Sequence, residues 1–209
     1  MKERFNTLLS SISRSGADLE GLKECLAYYG FYSAPASTKY HSSFSGGLCQ
    51  HSLIVYDLLK KLTDQYCPGM YPEDTIRIVG LLHDIAKSNY YVEEIKNRKV
   101  YRNDGSKMDS VGRYDWESYT GYSINGPENR NLLGTLEENS YYIVSQYIPL
   151  TLEESSALLN HCGGVEGSSS SMNRDLSAIF RRYPLVSLLH MADFLASYIV
   201  EKEDVPVYE

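Results

Sequence analysis

Tryptophan occurs once in the 209 residues, and cysteine four times, as Cys25, Cys49, Cys67 and Cys162. None of these forms a Cys-x-x-Cys pair, so neither a zinc ribbon nor a disulfide framework is indicated. Reduced thiols in a cytoplasmic protein are the expectation. Also missing is any run near the roughly 18 apolar residues needed to cross a bilayer, and no membrane partner is expected. The opening "MKERFNTLLSSISRSG" lacks the long apolar stretch and small-residue cleavage site of a secretory signal. Basic charge is scarce: 20 Lys and Arg against 27 Asp and Glu leave a net charge of −7. Nothing therefore favours broad attraction to duplex DNA, although a local basic patch could still hold a phosphorylated molecule. Repeats and long linkers are absent, and only "GGVEGSSSS" at 163–171 reads as linker-like.

What is present is an ordinary globular balance, 43% hydrophobic and 22% charged, suited to one domain spanning 1–209. Helical periodicity dominates. It predicts helices at 3–14 and 18–29, the second closing near Gly30, and a loop over "YSAPASTKYHSSFSGG". Further helices follow at about 48–66 and, from Pro72, to about Lys87. Residues 91–125 differ: the turn signal Asn103-Asp104-Gly105 between β-prone residues predicts a hairpin inserted over one face of the helical body. Helices resume at about 137–148, 152–161, 172–182 and 184–202. The predicted class is mostly all-α, with N-terminal helices and loop over 1–45 and a helical core over 46–202 that carries the insertion.

Polar residues interrupt three of the apolar stripes. The inward face of one helix runs Leu48, His51, Val55, Leu58, Leu62; that of the next runs Ile76, Val79, His83, Ala86, with Asp84 one residue further round. In the last, Asp193 takes its place in Val186, Leu189, Asp193, Ala196, Val200. A single buried histidine is ordinarily a hydrogen-bonded structural residue, and a single inward aspartate a capping or ion-paired one. Together they point elsewhere, because an unpaired buried carboxylate costs several kcal/mol. One divalent cation would neutralise Asp84 and Asp193 and accept nitrogens from His51 and His83. This mixed donor set suits manganese, iron, cobalt, nickel or zinc better than calcium, with magnesium also open.

The segments "GGLCQHSLIVYDLL", "GLLHDIAK" and "LLHMADFLASYI" resemble the successive signatures of the HD-domain metal-dependent phosphohydrolase superfamily, over about residues 40–200. Within it the chain is most similar to small phage and bacterial HD proteins and to the HD part of a 3′-to-5′ exoribonuclease family. The resemblance implies a helical bundle around a metal held by His51, the doublet His83-Asp84, and Asp193. It also implies hydrolysis of a phosphate ester or anhydride, with Asp84 handling the attacking water. Many such relatives carry two further histidines. The later matches His161 in "LLNHCGG"; the earlier should fall in "LLGTLEEN", where Gly134, Thr135, Leu136 and Glu137 stand instead. One metal is therefore expected and a second is in doubt, with His161 as phosphate contact or general acid, or else a plain helix-end histidine.

Lys87, one turn beyond His83, could neutralise a phosphate oxygen, or be a solvated helix-end lysine. His190 could support Asp193 from behind or be a structural histidine, and His41 could reach the mouth of the site from its loop or be a plain surface-loop histidine. Tyr101, Tyr114, Trp116, Tyr119 and Tyr122, with Arg98, Lys99, Arg102 and Arg113, could stack a base and bind phosphate, as in sites for nucleotides or short single-stranded nucleic acid. Aromatic cross-strand pairs also stabilise hairpins without any ligand. The alternative to an enzyme is a sensor or binding module that keeps the metal and has lost turnover.

Overall fold

The computed structural model describes residues 1–130, 132, 134–163 and 170–201, the side chains of 170–174 excepted. Most of the predicted linker-like segment, and 202–209 at the end of the predicted domain, lie outside the described residues. The elements are α1 (Lys2–Ser10), α2 (Leu19–Tyr28), α3 (Gly47–Tyr66), α4 (Glu73–Leu82), β1 (Tyr91–Tyr101), β2 (Lys107–Met108), β3 (Arg113–Ile124), α5 (Leu136–Tyr147), α6 (Leu152–Asn160), α7 (Ser170–Arg182) and α8 (Pro184–Leu195). Short 3-10 turns cover Ile85–Asn89 and Pro127–Asn129, and a π turn, Ala196–Val200, extends α8.

Around α3 the body assembles: α4 and α8 pack on it, α6 packs on α8, and α5 packs on α6. Leu48, Val55, Leu59, Ile78, Val79, Leu158, Val186 and Leu189 form the dry centre. Gly80 permits the close α3–α4 approach, since a Cβ there would stand 2.9 Å from the Tyr56 Cα. Thr135 and Thr151 open α5 and α6 with reciprocal capping boxes to Glu138 and Glu154, which satisfy helix-start N–H groups. Glu154 does more: buried, it accepts from Arg14 at 2.6 and 2.8 Å and from Thr75 Oγ1 at 2.6 Å. This ties the segment after α1 to α4 and α6. No single helix among the described residues is long and apolar enough to cross a membrane, and all four cysteines are unpaired.

The all-α class does not hold. More than half of the described residues are helical, and 91–124 form a three-stranded antiparallel sheet in the order β1-β3-β2, which makes the fold mixed α and β. The Asn103-Asp104-Gly105 signal does make a turn, with Gly105 N bonded to Arg102 O at 3.1 Å. It leads into β2 on the far edge of β3, however, rather than straight into the second long strand. The reversal into β3 is made by Asp109, whose carboxylate accepts from Val111 N and Gly112 N. This is an Asx turn, in which a side chain stands in for a backbone carbonyl. Nor does the ribbon lie over a helical face. Most of β1 and β3 is exposed, and β1 meets the body mainly at the 3-10 turn 85–89.

Helix ends also differ from the predicted ones. α1 stops at Ser10, because the serines that follow bond elsewhere: Ser11 Oγ to Leu8 O, Ser13 N and Oγ to Asp74. α4 stops at Leu82, not Lys87, so His83 is its C-cap and Asp84, at φ −114°, ψ 16°, begins the 3-10 turn.

Candidate metal centre

All five histidines of the chain gather at one end of α3, and each is held by a ring nitrogen. His51 on α3 donates from Nδ1 to Glu201 Oε1 at 2.8 Å, His83 from Nδ1 to Gly80 O at 3.1 Å, and His161 from Nδ1 to Leu158 O at 3.0 Å. Because a carboxylate or carbonyl can only accept, these bonds place a proton on each Nδ1 and leave each Nε2 directed inward. The His51 and His83 Nε2 atoms lie 3.3 Å apart. Asp193 Oδ1 stands 3.2 Å from the first and 4.0 Å from the second, and Asp84 Oδ2 is 3.5 Å from both. Donors placed about 2.1 Å from one ion stand roughly 3.0–3.4 Å apart at angles between square and tetrahedral. The His51–His83 and His51–Asp193 spacings lie in that range, and the 3.5 and 4.0 Å separations are somewhat longer. His51, His83 and Asp84 are buried, whereas the Asp193 side chain is 21% exposed and opens the cluster to solvent.

The break in α4 explains the doublet. His83 ends the helix and faces back to His51, while Asp84 enters a 3-10 turn in which residues three apart are eclipsed. Lys87 thereby comes directly onto Asp84, Nζ to Oδ2 2.5 Å. Asp84 Oδ1 points the other way, 3.7 Å from His161 Nε2. Asp84 Oδ2 is thus shared between the Lys87 ammonium and the Nε2 atoms of His51 and His83, while Oδ1 faces His161.

Burial opposes charge on His51, yet bonding to Asp193, Asp84 and Glu201 lifts its pKa well above the usual 6.5. Burial pushes His83 down to about 4. His161 is raised well above 6.5, because bonds to Asp84 and Cys162 outweigh burial. Burial would raise Asp84, but Lys87 and the histidines hold it well below its ordinary value. Protons on His51 and His161 and the Lys87 ammonium offset the carboxylates of Asp84, Asp193 and Glu201; a divalent cation among them would take over part of that role. Among the described residues, three overlapping sets have the spacing to hold a metal ion: His51-His83-Asp193, His83-Asp84-His161 and His41-His51-Glu201. In the last set the short His51–Glu201 bond reads as orientation rather than ligation.

Sequence periodicity does not single out Glu201, and the π turn is the reason. Glu201 N bonds Ala196 O at 2.9 Å, five residues back, so one extra residue is accommodated and the phase of the helix shifts. Val200, expected inward, is 53% exposed, and the Glu201 side chain is 1% exposed. Its second oxygen accepts from Ser42 Oγ at 2.6 Å and His41 Nδ1 at 3.3 Å. Ser42 holds φ +42°, and Gly47 makes room for it: a Cβ there would fall 1.9 Å from Ser42 O. The Gly-Gly lead-in thus serves the loop that anchors Glu201.

A cleft of about 680 Å³ opens over Asp193 and Lys87, walled by Tyr40, His41, Cys162, His190, Phe194 and Tyr198. His190 donates from Nδ1 to His161 O at 2.6 Å; it supports His161, not Asp193. Arg98 and Arg102 do not line the cleft. Arg98 pairs with Glu117 and lies over the Tyr119 ring, and Arg102 bonds through its backbone to Arg113 at the ribbon tip. The ribbon aromatics Tyr101, Tyr114 and Trp116 pack on one another and under Lys99. Where the resemblance calls for an additional histidine, Thr135 caps α5, and Glu137 hydrogen-bonds the Cys162 thiol beside His161. No family model, curated protein or solved structure matches the chain.

Proposed function

We propose that the protein is a metal-dependent phosphohydrolase acting on a phosphate ester or anhydride of a nucleotide or short oligonucleotide, with one divalent cation held by His51, His83, Asp84 and Asp193. The observation that carries this reading is the convergence of anchored imidazole Nε2 atoms with two carboxylates at 3.2–4.0 Å. The ordered resemblance to HD-type phosphohydrolases supports it. When bound, a divalent cation neutralises the carboxylates, polarises a phosphoryl oxygen and acidifies water.

The chain's own groups account for the remaining steps. Lys87 places its ammonium beside Asp84 at the base of the cleft, where it meets the charge of a phosphoryl oxygen. The attacking water gives a proton to Asp84 as its oxygen joins phosphorus. The P–O bond to the leaving group breaks, and His161, charged and so protonated on Nε2 as well as Nδ1, delivers its Nε2 proton to the departing oxygen. Tyr40, Phe194 and Tyr198 are exposed at the rim, with the last two rings 4.7 Å apart, a surface on which a base can stack.

The test is turnover of a nucleotide panel and a generic phosphodiester by protein loaded with manganese, iron, cobalt, nickel, zinc or magnesium, with bound metal counted by elemental analysis. Asp84→Ala is expected to abolish hydrolysis, and full activity in that variant defeats the mechanism. Stoichiometric metal in His51→Ala defeats the ligand set. Metal binding without hydrolysis of any phosphorylated compound points to the sensor module instead.

A further inference from the structure

Among the described residues, one edge of β1 is open. In the order β1-β3-β2, β3 pairs with one side of β1 and β2 sits on the far edge of β3. The register tells which backbone groups face the open side. Pairing runs from Tyr91 opposite Ile124 to Tyr101 opposite Tyr114. Continued at both ends, it sets Arg102 against Arg113 and Tyr90 against Asn125, each joined by a backbone bond (3.0 and 2.8 Å). Hydrogen-bonded and non-bonded positions alternate along an antiparallel pair. Val92, Glu94, Lys96, Arg98 and Val100 therefore turn their N–H and C=O groups to β3. Those of Tyr91, Glu93, Ile95, Asn97, Lys99 and Tyr101 face outward. The strand is 11 residues long, and Ile95 at its middle is 78% exposed. A ribbon with neither long face packed is marginal by itself.

The order of side chains identifies an occupant. The strand reads "YVEEIKNRKVY". Laid antiparallel on itself about Lys96, it sets Tyr91 against Tyr101, Val92 against Val100, Glu93 against Lys99, Glu94 against Arg98 and Ile95 against Asn97. Acid meets base, and like apolar residues meet at both ends. The alignment also matches outward-facing positions with outward-facing ones, as a continuous ladder requires. Moving the axis to Asn97 sets Lys96 against Arg98, and moving it to Ile95 sets Val92 against Arg98. Charges on an edge strand ordinarily discourage pairing; here their segregation into an acidic and a basic half discourages other strands and suits a second copy. Lys96, on the axis, is already held by Tyr122 O at 2.5 Å and lies 3.6 Å from Glu94.

We propose that two copies of the chain join through their β1 edges, antiparallel about a twofold axis at Lys96, into one continuous sheet. The contact is isologous, as a closed dimer requires, and the two helical bodies lie at opposite ends of the shared ribbon.

Light scattering on the full chain is expected to give twice the 23.7 kDa chain mass. Ile95→Pro removes an outward N–H while sparing every bond to β3, and is expected to give the single-chain mass with an unchanged circular dichroism spectrum. The double variants E93K/E94R and R98E/K99E each place like charges face to face, and each dimer is expected to weaken at least roughly tenfold. Mixed together, they are expected to form a heterodimer, because every facing pair is then opposite in sign. A wild-type mass of 23.7 kDa at the highest concentration reached overturns the proposal. So does a dimer indifferent to Ile95→Pro, or two folded charge variants that fail to associate when mixed.

Discussion

Replacing Glu201 perturbs the candidate centre without removing a proposed ligand atom. Its carboxylate takes the His51 Nδ1 proton at 2.8 Å and the Ser42 hydroxyl at 2.6 Å, and lies 3.3 Å from His41 Nδ1. A carboxylate on the remote nitrogen fixes the tautomer of a ligand histidine and makes the facing nitrogen a stronger donor; losing such a partner typically costs roughly 10–100-fold in metal affinity. Glu201→Gln keeps an oxygen for His51 but removes the negative charge, so about tenfold, or about 1.4 kcal/mol, is expected. Glu201→Ala also frees the His51 ring and leaves Ser42 unpaired, so about 100-fold, or about 2.7 kcal/mol, is expected. The assay is manganese titration of metal-stripped protein against a competing chelator, with thermal unfolding in excess chelator as the check on folding. Unchanged affinity in a folded Glu201→Ala protein would refute the argument. Equal losses in both variants would refute the part assigned to charge.

Three further perturbations follow from the same geometry. Gly47→Ala would force a methyl group onto Ser42 O; overpacking of this kind costs about 1–3 kcal/mol, and a lower melting temperature together with weaker metal binding is expected, since Ser42 anchors Glu201. Lys87→Met is expected to leave metal content intact and to lower turnover sharply on every phosphorylated substrate, measured by kcat/KM; a variant as active as wild type removes Lys87 from the mechanism. Arg14 and Thr75 hold Glu154 below its ordinary 4.5 although burial opposes this. Its contribution to stability is thus complete above pH 4.5 and is lost as pH falls through the lower folded-state value. Arg14→Met, which strands the buried carboxylate, is expected to cost about 3 kcal/mol at neutral pH and to flatten that acid limb in denaturant titrations.

The legible part of this protein is what one period of 3.6 residues can carry. His51 in the α3 stripe and Asp193 in the α8 stripe can be read inward because each helix keeps its phase up to that residue. The convergence of their atoms, at 3.2 Å, agrees with that reading. The sheet is only half legible. β-prone residues and a turn signal place strands in 91–125, but the Asx turn at Asp109, which decides where β3 begins, depends on a side chain bonding backbone two and three residues on. The turn signal at Asn103-Asp104-Gly105 does not reveal which of two reversals joins the long strands.

Where phase breaks, periodicity misleads, and both breaks lie at the candidate centre. Counting 3.6 residues per turn through α4 makes His83 and Asp84 neighbours on one helix and gives them similar surroundings. The change to a 3-10 turn sets their surroundings apart: His83 caps the helix and faces His51, while Asp84 bridges toward Lys87 on one side and His161 on the other. Counting through α8 points Val200 inward, whereas the π turn inserts a residue and delivers Glu201 to His51. A tightened turn and a widened turn each leave backbone bonding poorer than α-helix. What offsets the loss in each case is a charged side chain brought to a buried histidine or aspartate. The apolar stripes therefore place the helices, and the two departures from helix place the chemistry.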